Sequence, residues 1–195
     1  VDDNVGRLME YLKANGLGKN TIIIYTSDQG FYLGEHGWFD KRWMYEESFR
    51  TPLIIKWPGV TNKKSTTGSM VQNLDFAETL LDMAGLPVPA DMQGKSIVPV
   101  LKGLQKGNLH DGLYYHFYEN LEHKVAKHIG VRTERYKLIY FYENKDWELY
   151  DLLKDKSEMN NVYDTPAYKK IQVAMKEKLK ALKEQYKDPE PAVIE

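Results

Sequence analysis

Asp28-Gln29 follows directly on the β-branched and aromatic run Thr21-Ile22-Ile23-Ile24-Tyr25-Thr26. A carboxylate and an amide carbonyl are hard oxygen donors of the kind that Ca2+ and Mg2+ take. An Asp in a turn also commonly bonds its own backbone, so the dipeptide alone supports either reading. The next residues shift the balance. Gly34-Glu35-His36-Gly37-Trp38-Phe39-Asp40-Lys41-Arg42 places a histidine and two cations shortly after the acid, and Tyr45-Glu46 and Arg50-Thr51-Pro52 follow. A metal corner with positioned cations is what chemistry on a tetrahedral oxyanion needs. Taken singly, Lys41 reads as a solvated cation. Glu46 and Arg50 read as an i,i+4 pair anchoring the loop.

The surrounding elements must hold this segment. Val5, Leu8, Met9 and Leu12 recur at helical spacing, with Asp2 and Asp3 in the first turn and a stop at Asn15-Gly16. The run 21–26 suits a strand buried on both faces of a parallel sheet, and ligands gather at the carboxyl ends of such strands. Tyr32 to Glu47 reads as a loop leading to a short helix. Pro52 to Pro58 reads as a second buried strand, and Asp75 to Gly85 as a helix with a glycine stop. Helix, strand, loop, strand, helix fits half of a layered α/β domain.

Residues 86–108 are rich in Pro and Gly and form a connector. Beyond it, Leu113–Tyr118, Ile129–Thr133, Tyr136–Tyr142 and Glu148–Asp151 read as short strands with tight turns. Ala167–Tyr186 reads as a Lys-rich helix with Ile171, Met175, Leu179 and Leu182 on its apolar stripe. Strands followed by one helix suggest a small antiparallel sheet packed on that helix. His116, His123, Lys124, His128 and Arg132 gather here with Tyr114, Tyr115 and Tyr118, either as sugar-binding groups or as a polar loop between strands.

With 42% hydrophobic and 28% charged residues the chain is globular. A net charge of −1 supplies no basic field for nucleic acid. No apolar run approaches about 18 residues, so no membrane-spanning helix is expected. With no Cys, neither a disulfide nor a thiolate metal site is available within these residues. The first residues read as the opening turn of a helix, which predicts a piece of a longer protein.

The runs Tyr25-Thr26-Ser27-Asp28-Gln29-Gly30 and Leu33-Gly34-Glu35-His36-Gly37, then Lys41 with Tyr45, Glu46, Arg50 and Pro52, then Trp57-Pro58-Gly59, resemble the type I sulfatases of the alkaline-phosphatase superfamily. Glu148-Leu149-Tyr150-Asp151-Leu152 and Glu158-Met159-Asn160-Asn161 resemble that family's C-terminal signature. The chain is most similar to bacterial N-acetylglucosamine-6-sulfatase-like and other glycosaminoglycan or mucin sulfatases. The resemblance implies an α/β fold. Residues 1–108 would be the C-terminal part of an alkaline-phosphatase-like sandwich, and 109–195 a small antiparallel subdomain with a long C-terminal helix.

The resemblance also implies roles. Asp28 and Gln29 would be calcium ligands, although many family members carry Asn or His at the second position. Lys41 would contact the sulfate and stabilise charge as the S–O bond breaks. His36 would lie on the active-site rim, against the alternative of a loop histidine bonded to backbone. His123 and His128 would reach a glycan hydroxyl or anionic group. The family nucleophile is a formylglycine made within a C/S-x-P/A-S-R motif, which no residue here begins. It is expected upstream, with the rest of the calcium site. A sulfated glycan is the expected partner, and a periplasmic or extracytoplasmic bacterial location is implied. An exposed apolar face with self-association is a further expectation. Two alternatives stay open: phosphonate or phosphate monoester hydrolysis, and a non-catalytic domain that binds sulfated glycans.

Overall fold

The computed structural model describes residues 1–119 and 124–189. The chain runs α1 (Asp2–Ala14), β1 (Ile23–Thr26), α2 (Glu46–Phe49), β2 (Leu53–Lys56), α3 (Asp75–Met83), α4 (Val98–Leu101), β3 (Leu113–Phe117), β4 (His128–Arg132), β5 (Tyr136–Phe141), β6 (Asp146–Asp151) and α5 (Lys169–Gln185). The architecture is mixed α/β, as the sequence predicts.

The first sheet corrects one expectation. β1 pairs with β2 antiparallel, Ile23 opposite Lys56 and Thr26 opposite Leu53, and the pair stands alone among the described residues. Its strands are also not buried on both faces: Ile24 and Ile54 are exposed. An apolar run encodes burial, not strand direction. The loop between β1 and β2 brings the chain back against its own path, and that return makes the pairing antiparallel. α1 buries no residue, and Leu8 and Tyr11 lie exposed on it. The expected apolar surface is therefore present.

The second half forms a four-stranded antiparallel meander, β3-β4-β5-β6. Both faces are covered. On one, Ile129, Val131, Leu138, Tyr140 and Leu149 pack against Met175, Leu179 and Leu182 of α5. That is the apolar stripe read from the 3.6-residue period. On the other, Ile139, Tyr150 and Leu152 pack against Tyr32, Met44 and Tyr45. The segment 32–45 thus lies on the sheet as a second layer. Gly130 makes this close approach possible: a Cβ there would come within 2.3 Å of the Met44 sulfur.

α3 carries a buried polar group of its own. Asp75 has no exposed surface. It accepts hydrogen bonds from the backbone N–H of Gln72 at 2.9 Å and of Lys95 at 2.8 Å, and its carboxylate lies 2.9 Å from His110 Nε2. Thr79 donates to the Asp75 carbonyl and receives the N–H of Ile97. These bonds tie the connector 86–108 to the helix, satisfying buried backbone groups that no strand pairs.

Candidate functional site

The corner after β1 is ordered by short-range bonds. Asp28 Oδ1 accepts the Gln29 N–H at 3.0 Å and the Ser27 hydroxyl at 3.4 Å, and the Ser27 hydroxyl also donates to the Gln29 carbonyl at 2.8 Å. Asp28 is exposed and Gln29 half-buried. The local turn bonding and the outward carboxylate coexist. Gly30 then passes so close to α2 that a Cβ would lie 1.8 Å from the Glu47 carbonyl oxygen. Only glycine fits there.

Lys41 stands in irregular chain, so its backbone cannot rely on a helix or strand ladder. Side chains substitute for one. The Lys41 carbonyl accepts the Ser48 hydroxyl at 2.5 Å, and the Arg42 carbonyl accepts the Tyr115 hydroxyl at 2.8 Å. The Trp43 carbonyl accepts the Tyr32 hydroxyl at 2.9 Å, and the Met44 carbonyl accepts the Lys137 ammonium at 2.8 Å. Four consecutive carbonyls are each held by a different donor. Two of those donors, Tyr115 and Lys137, come from the four-stranded sheet. Asp40 adds a bond from the Lys41 N–H at 2.8 Å and a contact to Arg42. The aromatic pairs Phe31–Phe39 and Trp38–Trp43 brace the loop, with centroids 5.2 and 4.0 Å apart. Nothing comparable engages the half-buried Lys41 side chain: among the described residues no hydrogen bond or ion pair takes up its ammonium.

Behind the loop lies a buried ionic group. Lys137 approaches Glu46 at 2.9 Å and Glu158 at 2.7 Å, and Arg132 reaches Glu46 at 3.5 Å. Burial raises the Glu46 carboxyl, but Lys137 and Arg132 together outweigh it and hold the group below the usual range. Glu158 goes the other way, because burial dominates and Lys137 offsets it only in part. Arg50 takes no part in this group. It is exposed, and its backbone N–H simply closes α2 onto the Glu46 carbonyl at 2.8 Å. The expected Glu46–Arg50 pair gives way to Lys137 and Arg132 because β4 and β5 offer α2 one fully buried cation, Lys137, and one partly buried, Arg132.

His36 has a left-handed backbone, φ 54°, and lies within the loop. Its ring stacks on Tyr45 with centroids 4.3 Å apart and approaches Glu47 at 3.3 Å. That contact lacks hydrogen-bond geometry, so it is a proximity of ring and carboxylate. Among the described residues no backbone group accepts the ring. Tyr45 in turn donates to Glu148 at 2.8 Å, and Tyr150 donates to the same oxygen at 3.0 Å. Burial, with Glu148 close by, raises the Tyr45 hydroxyl well above its ordinary range and keeps it a donor.

The two later histidines do not join this group. His123 lies outside the described residues. His128 has no exposed surface: its ring sits among Tyr115, Phe117 and Phe141, and Nδ1 donates to the Ala126 carbonyl at 2.8 Å. Further chain can only add cover, so a glycan contact is closed to His128 in this arrangement. Burial pushes its pKa down to about 4. His116 instead lines a cavity of about 210 Å3 with Tyr114, Tyr118, Tyr186 and Asp188. It contacts the Asp188 carboxylate, which also accepts the Tyr114 hydroxyl at 2.5 Å. This cavity shares no lining residue with the corner.

Ser48 and Lys137 escape a reading of the sequence as functional positions, and Tyr115 is read there only as a member of the 114–132 cluster, not as a brace for the Arg42 carbonyl. Two of the structure's key acids, Glu148 and Glu158, do fall in the C-terminal signature stretches, which is the one signal that marks them.

The chain is mixed α/β and superposes on solved enzymes of the alkaline-phosphatase-like class. Residues 34–185 match the family model described as N-sulphoglucosamine sulphohydrolase, C-terminal, and the chain belongs to that family. It is 50% identical over 195 residues to an N-acetylglucosamine-6-O-sulfatase of Bacteroides thetaiotaomicron, covering 98% of this chain and 35% of that protein. A structure solved in complex with its substrate D-glucosamine-2-N,6-O-disulfate superposes with a TM-score of 0.93 and 48% identity, over all of this chain and 40% of the other. A phosphonate monoester hydrolase of Agrobacterium radiobacter superposes with a TM-score of 0.84 at 27% identity, over 95% of this chain and 39% of the other. The chain thus spans about a third of the length of the curated relative.

The residues present can be set against the calcium that the family implies. Asp28 and Gln29 offer hard oxygens at a strand end, with Asp28 oriented through Oδ1 alone. Calcium takes roughly six to eight oxygens, so the pair fits as part of a shell. Among the described residues no group of three or more His, Asp or Glu completes it.

Proposed function

We propose that this chain is the C-terminal portion of a sulfatase, a sulfuric ester hydrolase that cleaves sulfate esters on glycans. The observation that carries the reading is Lys41: its carbonyl and the next three are each fastened, while its ammonium has no ion-pair partner among the described residues. An unpaired cation on a fastened backbone, in a loop that Ser48 ties to the chain just after the corner, suits a sulfate group. In this reading Asp28 and Gln29 would help to hold calcium, which would supply positive charge for the sulfate group. Lys41 neutralises charge as the S–O bond breaks. His36 lines the rim. A formylglycine outside residues 1–195 supplies the nucleophile, so the chain alone is inactive. Residues 1–108 belong to the sandwich and 109–195 form the subdomain that braces it.

The likeness to an N-acetylglucosamine-6-O-sulfatase supports an amino-sugar 6-sulfate as substrate. The bacterial relative supports an extracytoplasmic site of action. No helix among the described residues is long and apolar enough to cross a membrane. The likeness to a phosphonate monoester hydrolase favours a second reading, phosphonate or phosphate ester hydrolysis. The test is the complete protein carrying this chain, assayed on N-acetylglucosamine-6-sulfate, an aryl sulfate and an aryl phosphonate. Sulfate release with loss on Lys41→Ala is the expected result. Faster hydrolysis of the phosphonate selects the second reading, and Lys41-dependent glycan binding without turnover selects a binding module.

A further inference from the structure

Ser48 touches both halves of the corner, through two different groups. Its hydroxyl donates to the Lys41 carbonyl at 2.5 Å. Its own carbonyl accepts the Gly30 N–H at 2.8 Å, and Gly30 directly follows Asp28-Gln29. A serine inside a helix can turn its hydroxyl back to the carbonyl four residues earlier. Here that residue is Met44, which lies before the N-cap Tyr45 and whose carbonyl takes the Lys137 ammonium. The Ser48 hydroxyl reaches out of α2 to Lys41 instead.

α2 is itself fixed. The Glu46 N–H donates to the Glu158 carboxylate at 2.7 Å, and the Glu46 side chain meets Lys137. Ser48 is buried, at 6% exposure. Gly30 rests against the Glu47 carbonyl without room for a Cβ, so residues 28–30 cannot shift past α2. One buried residue on an anchored turn thus holds the oxygen-donor corner with one group and the lysine with another.

We infer that Ser48 is a positioning residue that sets the separation between the Asp28-Gln29 oxygens and the Lys41 ammonium. This rests on the sulfatase reading above. Misplacing a charge-stabilising group by about 1 Å costs on the order of 100-fold in rate. Losing the hydroxyl releases the Lys41 carbonyl while the bond to Gly30 survives.

The experiment uses the complete protein carrying this chain, with Ser48→Ala and Ser48→Thr, and with Lys41→Ala and Asp28→Asn as reference variants. Sulfate release is resolved into kcat and KM, calcium affinity is measured by calorimetry without substrate, and Tm is followed by scanning calorimetry. Ser48→Ala is expected to lower kcat by roughly 10- to 100-fold while calcium affinity stays within about threefold and Tm hardly moves. Ser48→Thr, which keeps the hydroxyl, is expected to recover most of kcat. Wild-type kcat and KM in Ser48→Ala, beside inactive reference variants, overturns the positioning role and leaves the sulfatase reading standing. A fall in kcat that tracks a collapse of Tm and that Thr does not rescue also overturns it. Full activity in Lys41→Ala and Asp28→Asn removes the roles of Lys41 and Asp28 and this inference with them, whereas no sulfate release by the wild-type protein removes the sulfatase reading itself.

Discussion

Lys137 and Glu158 form an ion pair at 2.7 Å in which neither side chain has any exposed surface. Glu158 also holds a left-handed backbone, φ 51°. Taking two charges out of water costs several kcal/mol for each ion, and only nearby charges and hydrogen bonds offset it. Glu46 and the Met44 carbonyl do so here, both within 2.9 Å of the same ammonium. The pair joins β5, the segment after β6 and the start of α2, and so connects the C-terminal sheet to the loop that carries Lys41.

Removing Lys137 strands the buried Glu158 and leaves Glu46 with Arg132 alone. Lys137→Met is expected to destabilise the protein by about 3–5 kcal/mol. Adding Glu158→Gln is expected to recover part of the loss, since it removes the stranded charge. Chemical denaturation of both variants measures the difference.

Tyr115→Phe removes one hydroxyl and nothing else. Burial pushes this group up to about 12, so it remains a donor to the Arg42 carbonyl throughout the working range. The lost bond should cost about 1 kcal/mol of stability. In the complete enzyme we expect a several-fold fall in kcat with little change in Tm. Steady-state kinetics beside calorimetry checks this.

His128 makes stability depend on acid. Its folded pKa of about 4 lies below the ordinary value of 6.5, because burial disfavours the charged ring. Below pH 6.5 the unfolded chain therefore binds a proton that the folded chain refuses. The contribution is fully present above pH 6.5 and is lost as pH falls toward 4, by roughly 3 kcal/mol at about 1.4 kcal/mol per pH unit. His128→Phe keeps an aromatic ring among Tyr115, Phe117 and Phe141. Its Tm should fall less steeply than wild type between pH 6.5 and 4, as read by calorimetry across that range.

Leu8, Tyr11 and Ile54 are 52%, 61% and 63% exposed. With α1 burying nothing, this apolar surface should drive self-association of the chain when expressed alone. Sedimentation velocity is expected to show dimers or larger species that Leu8→Glu with Ile54→Lys shifts toward monomer.

The elements of the second half were legible because periodicity is a local property. The stripe Ile171, Met175, Leu179, Leu182 and the short β-rich runs from Leu113 onward appear within about two residues of where the sequence places them. Residue types and spacing make the corner from Asp28 to Lys41 legible as a candidate site. Pairing was not. Nothing local distinguishes an antiparallel β1–β2 pair from two parallel strands, since an apolar run records burial and not direction.

The sequence by itself determined the helix and strand periods, which depend on neighbours a few residues apart, and it offered Asp28, Gln29 and Lys41 as candidates for the site. The tertiary structure alone decided what holds Lys41 in place. A lysine in a strand reads as solvated, yet Lys137 is buried beneath a loop 93 residues earlier, and Glu158 caps an N–H 112 residues away. Such bonds join groups whose proximity exists only once the sheet has folded and its second face has been covered, so no pattern along the chain announces them.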